Sequence, residues 1–332
     1  MKVWEVSFNM SLFAYGNKAK CEGQFMEDSC YVGRIGKYVV LMVADGNGST
    51  SGNVDSGVLV TTIASDWLSH AILNPDGSEK NVNLDMIGES LDSMIFGLSR
   101  CFITMSALEE KYSSLYASLV VCVIDELSLE MVSASIGNCE LHKVSAGNDN
   151  LVNTIHSVAY EEYKKGKLGE DWRENPKRGM LTSAIGAFNE PVVDILKTNL
   201  NPDDILYLTT DGLLHVTGPA GILEELFNHS DDISKATDAV LQKAEDLKCP
   251  DNCALIVGYV NDDVRGRETA NQQNQRLQEP PRRPSVLDND ENNARGSVQT
   301  YQRSQYESQR QSSSRMQESD QPPRQRRGSR RH

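Results

Sequence analysis

No apolar run in the chain approaches the length needed to span a bilayer. The N-terminal MKVWEVSFNMSLF is broken by polar residues and lacks the hydrophobic core of a secretory leader. No membrane span is expected, and no export. The seven cysteines are scattered and odd in number. CPDNC (Cys249 to Cys253) has no second Cys or His pair at zinc spacing, so neither a disulfide framework nor a zinc ribbon is expected. Reduced thiols in a cytoplasmic protein are the expectation. Lysine is missing from Val264 to His332, as are Phe, Trp and Ile, and a segment without them cannot bury a core.

What that segment does contain is 14 Arg against 8 acids, with Gln, Ser, Pro and Asn between. Residues 263–332 therefore read as a disordered, arginine-rich tail whose charge suits an acidic partner. RRPS (Arg282 to Ser285) and RRGS (Arg326 to Ser329) resemble sites for basic-directed kinases. The rest of the chain carries 19 basic and 39 acidic residues. So acidic a body argues against DNA as its ligand and is compatible with a divalent-cation site.

Residues 1–16 and 29–44 alternate or run apolar and read as strands. Leu59, Ile63 and Trp67 recur at steps of four within a helix from about 53 to 72. Leu84, Ile87, Leu91, Met94, Leu98, Phe102 and Met105 mark a second helix over about 83–109. Strands follow at 118–125, 129–137 and 140–144, then again from Val192 and Ile205. A helix at 232–247 precedes a last strand, CALIVGYV. The polar insert 159–179 lacks periodicity and reads as a functional flap or a disordered loop. Strands adjoin strands more often than they alternate with helices, so the class is α+β, with two antiparallel sheets covered by helix pairs.

Four acidic motifs sit at strand ends: MEDS (Glu27, Asp28), ADGNG (Asp45), TTDGLL (Asp211) and PDNCALIV (Asp251). A fold that gathers these ends gathers carboxylates, and like charges so close need a cation to stay ionised. Mg²⁺ and Mn²⁺ favour such oxygen donors. Glycines beside Asp45 would let a backbone carbonyl approach as a further ligand. A calcium EF-hand is excluded for DGNGSTSGNVDS, because its sixth position is Thr50 and its twelfth Ser56, where Gly and Glu are needed.

In order, MEDS, DGNGS, IGNCEL, LTSAIG, TTDGLL and DNCALIV resemble the motif series of the metal-dependent protein phosphatases, the type 2C serine/threonine phosphatases. The likeness spans residues 1–262, with 159–179 where the family has its flap. It implies an α-β-β-α sandwich and a centre of two Mn²⁺ or Mg²⁺ ions. Asp45 would bridge them. The Gly46 carbonyl, Asp211 and Asp251 would complete direct ligation, with Glu27 and Asp28 holding bound waters. The implied reaction is hydrolysis of phosphoserine or phosphothreonine by a metal-activated water, with Asp45, Asp211 and Glu27 as catalytic residues. The implied partners are a phosphoprotein substrate and a Ser/Thr kinase or its targets.

The sequence departs from the series at several positions. Gly23 stands where the family has its phosphate-gripping Arg, which leaves Lys18, Lys20 or Arg34 as substitutes, and a lysine lacks the guanidinium fork. Asn138 replaces an Asp that helps hold a third ion. Asn47 stands where a His often lies, and Ile155 precedes His156 where the family has Asp. Two readings follow: an active metal-dependent phosphatase, or a pseudophosphatase that binds a phosphoprotein or kinase.

Overall fold

The computed structural model describes residues 2–8, 11–18, 26–47, 55–113, 115–188 and 190–260. Lys20, Gly23 and the tail lie outside them. One sheet has the order β1 (Lys2–Ser7), β2 (Ser11–Lys18), β11 (Cys253–Val260), β10 (Ile205–Thr209), β7 (Glu140–Ser145), β8 (Asn148–Leu151). The other runs β3 (Ser29–Ile35), β4 (Tyr38–Asn47), β5 (Tyr116–Asp125), β6 (Glu130–Ile136), β9 (Asp194–Asn199). Every pairing in both sheets is antiparallel.

β4 and β5 are apolar at almost every position because both of their faces are covered. Val39, Leu41 and Val43 of β4, with Val120, Cys122 and Ile124 of β5, meet Leu206, Leu208, Ala254 and Ile256 of the facing sheet. The alternate residues, Val40, Met42, Ala44, Leu119, Val121 and Val123, pack under α1 (Ser56–Ile72) and α2 (Leu84–Leu108). On the far side, Tyr207, Leu255 and Val257 lie under α4 (Asp211–Asn228) and α5 (Ile233–Asp246). This is the α-β-β-α sandwich that the resemblance implies.

Three sequence expectations shift. The buried stripe of α1 is Val60, Ala64, Leu68 and Ile72, one residue on from Leu59, Ile63 and Trp67, and Trp67 is exposed. Both stripes are apolar, and sheet contact selects the one with small residues near its start. α2 is long and apolar enough to cross a membrane by length and composition, contrary to the reading of the sequence. Its periodic face is spent on the sandwich core. α4 has no counterpart among the sequence expectations, because Gly218 and Pro219 interrupt it and bend it there.

The insert is ordered. α3 (Val158–Lys164) and two single-turn 3₁₀ segments, Glu170–Glu174 and Pro176–Gly179, enclose a small core of Ile155, Ala159, Tyr160 and Trp172. Its two ends are joined by a bridge between Ser157 and Leu181.

Candidate active site at one end of the sandwich

Asp45 continues the inward-facing row of Val39, Leu41 and Val43, opposite Ser118 on β5. Asp28 ends the segment entering β3, Asp211 opens α4 directly after β10, and Asp251 lies just before β11. The fold thus brings four chain segments to the same end of the inter-sheet space. Two glycines permit that closeness. A Cβ on Gly46 would lie 2.5 Å from both the Glu27 carbonyl oxygen and the Gly57 nitrogen, and one on Gly212 would lie 2.1 Å from the Asn252 carbonyl oxygen. Gly46 is therefore required for packing, a reason separate from the carbonyl ligation the resemblance implies.

The carboxylates perturb one another. Burial, then the charges of Asp211 and Asp251, hold Asp28 well above the usual carboxylate range, against hydrogen bonds with Thr210 and Asp45. Thr210 Oγ1 donates to Asp28 Oδ2 (2.7 Å) and accepts from Ala254 N–H (3.0 Å). Burial and the charges of Asp28, Asp211 and Asp251 push Asp45 up as well, and its side chain hydrogen-bonds that of Asp28. Asp211 is pushed up to about 6, first by burial and then by Asp251. Asp55 is a member of this end that sequence reading missed. It caps α1 by accepting from Val58 N–H (2.9 Å), and burial together with Glu27 raises it to about 7.

Among the described residues, no three His, Cys, Asp or Glu side chains close into a ready ion cage. The donor chemistry nevertheless fits a hard divalent cation: mutually repelling carboxylate oxygens, Asp28 buried among them, with none of the described ion pairs joining a Lys or Arg to Asp28 or Asp45. Asn138 is a brace. Its Nδ2 donates to Asp211 Oδ2 (2.7 Å) while its Oδ1 accepts from Ser118 Oγ (2.8 Å). His156 is a packed residue at the base of the insert, its Nδ1 accepting from Gly137 N–H (3.1 Å).

Beside Asp211 lies a narrow cleft lined by Asn138, Glu140, Trp172, Arg173, Arg178 and His215, among others. Arg173 is committed: it lies over the Trp172 ring at 4.3 Å and its Nη2 donates to Glu140 Oε2 (2.5 Å). Arg178 is close enough to pull Asp211 down and to push His215 down. Arg34, expected to help grip phosphate, lies elsewhere. It is opposite Val39, toward the far end of the β3–β4 ladder, and its guanidinium pairs with Glu126. The alternation of β3 placed a cation in sequence near the motif but in space six residues up the strand from Asp28. Lys20 and Gly23 are not among the described residues.

No family model matches the chain. The serine/threonine phosphatase Stp of Listeria innocua is 22% identical over 236 residues, covering 70% of this chain and 89% of that protein. Stp of Listeria monocytogenes is 22% identical over 233 residues, covering 70% and 88%. Among solved structures, the Streptococcus agalactiae serine/threonine phosphatase superposes with a TM-score of 0.64 at 19% identity, covering 76% of this chain and 100% of that one. The catalytic domain of the phosphatase PstP, solved in complex with two manganese ions, gives 0.57 at 17% identity, covering 76% and 99%. In sequence the chain is thus similar to proteins named serine/threonine phosphatases, and it shares the fold of solved serine/threonine phosphatases.

Proposed function

We propose that the chain hydrolyses phosphoserine and phosphothreonine on proteins with the help of Mn²⁺ or Mg²⁺. The observation that carries this is the gathering of Asp28, Asp45, Asp211 and Asp251 from four separate segments, each perturbing the next. Asp45, Asp211, Asp251 and the Gly46 carbonyl would hold the ions, with Glu27 and Asp28 around them. Bound there, divalent cations supply an acidified water and offset charge on the phosphoryl oxygens. The chain's own part is positioning. Thr210 fixes Asp28, and Asn138, itself held by Ser118, fixes Asp211. The relatives named as serine/threonine phosphatases support the substrate class. A kinase acting on the same phosphoproteins and a cytoplasmic setting belong to the proposal too, the latter resting on the scattered cysteines.

One observation favours the binding-module reading. The Asn138 amide supplies Asp211 with a hydrogen bond at the position where the family uses a third-metal carboxylate. Turnover separates the two readings. With millimolar Mn²⁺ the full chain should dephosphorylate a phosphothreonine peptide, and Asp211→Asn should lose that activity. Absence of wild-type turnover would leave the binding module.

A further inference from the structure

We propose that Arg178, carried by the insert, is the cation that grips the substrate phosphoryl group, taking the part that Gly23 cannot. The inference rests on the phosphatase reading and names the substrate contact of that same site. A phosphomonoester dianion approaching Asp28, Asp45, Asp211 and Asp251 meets acid on every strand end. It needs positive charge from the chain as well as from any bound cation, and a guanidinium suits it best because its fork matches two phosphoryl oxygens.

The cleft beside Asp211 offers two arginines. Arg173 is occupied by Glu140 and Trp172. Other insert cations are paired as well: Lys165 with Glu161 and Lys177 with Glu162. Arg178 differs. Its Nε is buried without a hydrogen-bond partner, a position that native structures seldom leave unfilled. It faces the first turn of α4, where Asp211 and His215 stand four residues apart on one side of the helix. The segment holding it is anchored at both flanks. Met180 accepts from Val158 N–H (2.9 Å), and Asn175 Oδ1 caps the turn by accepting from Lys177 N–H (2.9 Å). Nε is closed off from solvent in this arrangement, so a turn of the side chain toward the cleft would bring it to a phosphoryl oxygen as its acceptor.

The test compares the full Mn²⁺-loaded chain with Arg178→Ala, Arg178→Lys and Lys177→Gln, the last removing a neighbouring charge outside the cleft. Binding of inorganic phosphate is followed by calorimetry, Mn²⁺ affinity is measured separately, and hydrolysis of p-nitrophenyl phosphate gives kcat and KM. Arg178→Ala should weaken phosphate binding by roughly 10- to 100-fold and raise KM more than it lowers kcat, the loss expected for a charge-assisted hydrogen bond. Arg178→Lys should recover part of the loss, Lys177→Gln should resemble wild type, and Mn²⁺ should bind Arg178→Ala no more weakly. Wild-type phosphate affinity in Arg178→Ala, or an equal loss in Lys177→Gln, overturns the proposal while leaving the phosphatase reading intact. A wild-type chain that binds phosphate through Arg178 without hydrolysing the ester sustains the grip and sinks the phosphatase reading.

Discussion

The two ends of the β3–β4–β5 ladder treat carboxylates in opposite ways. At one end Lys37 pairs with Asp125 at 2.6 Å, and Glu126, almost fully buried, takes both Arg34 and a hydrogen bond from Ser11 (2.9 Å). Burial alone would raise Asp125, but Lys37 and the Leu127 N–H hold it below the usual range. At the other end Asp28 is buried and Asp45 half-buried by accessible surface, they have each other for company, and both are pushed up. One fold thus satisfies its acids where only stability is at stake and leaves them in conflict where the motifs converge. Such a conflict marks a site that a ligand completes.

This contrast should break in opposite directions under substitution. Asp45→Asn removes one of the repelling charges. It should lower Mn²⁺-dependent turnover on the order of 100- to 1000-fold. The metal-free chain should melt about 2–4 °C higher. Turnover assays and thermal melts without metal measure both; a lower metal-free Tm would show that the cluster is not strained by its own charge.

Arg34→Ala is the mirror case. It takes the guanidinium from buried Glu126, leaving the Ser11 hydrogen bond, and should destabilise the chain by about 2–4 kcal/mol. Turnover per folded molecule should stay at the wild-type value, because Arg34 is at the far end of the ladder from Asp45. Urea melts and assays on the folded fraction decide this, and lost turnover would return Arg34 to the substrate site.

A third contrast is in pH. Asp211 keeps its proton more tightly in the folded chain than in the unfolded one, since its folded value is raised to about 6. Its contribution to stability is therefore greatest below about pH 4 and is lost as pH rises through 6. Asp149 and Glu140 behave the other way. His142, buried between them, outweighs burial and holds both below the usual range, so their contribution is present at neutral pH and lost on acidification. The difference between wild type and Asp211→Asn isolates the first effect. Without metal, the variant should match wild type near pH 4 and melt a few degrees higher by pH 7. Equal melting at both values would remove the claim.

The sequence carried the strand-end motifs and both sheets because period-two burial and the Asp-Gly turns leave local marks. It was less informative wherever two surfaces competed or distant segments met. In α1 two apolar stripes were available, and only the sheet decides that Val60 and Ala64 face inward. In α4 the Gly218–Pro219 break hides a helix whose first turn bears Asp211. Arg34 lies close to MEDS in sequence, but an extended strand carries it away. Arg178 lies three residues before LTSAIG but within a polar insert, and nothing local marks it as a neighbour of Asp211.

The last expected effect concerns Asn138, where the two readings of the protein divide. Its amide gives Asp211 a donor, and Ser118 fixes the amide's orientation. In Asn138→Asp the donor becomes another carboxylate beside Asp211. The metal-free variant should therefore lose about 1–3 kcal/mol of stability, the cost of an unmade hydrogen bond joined by like-charge repulsion. Added Mn²⁺ should restore most of that loss, so the metal-induced rise in Tm should exceed that of wild type. If it does, Asn138 holds the site in a form that depends less on metal while leaving the acids able to accept it. An unchanged rise would mean that Asn138 is a turn residue whose bond to Asp211 has no bearing on cation binding.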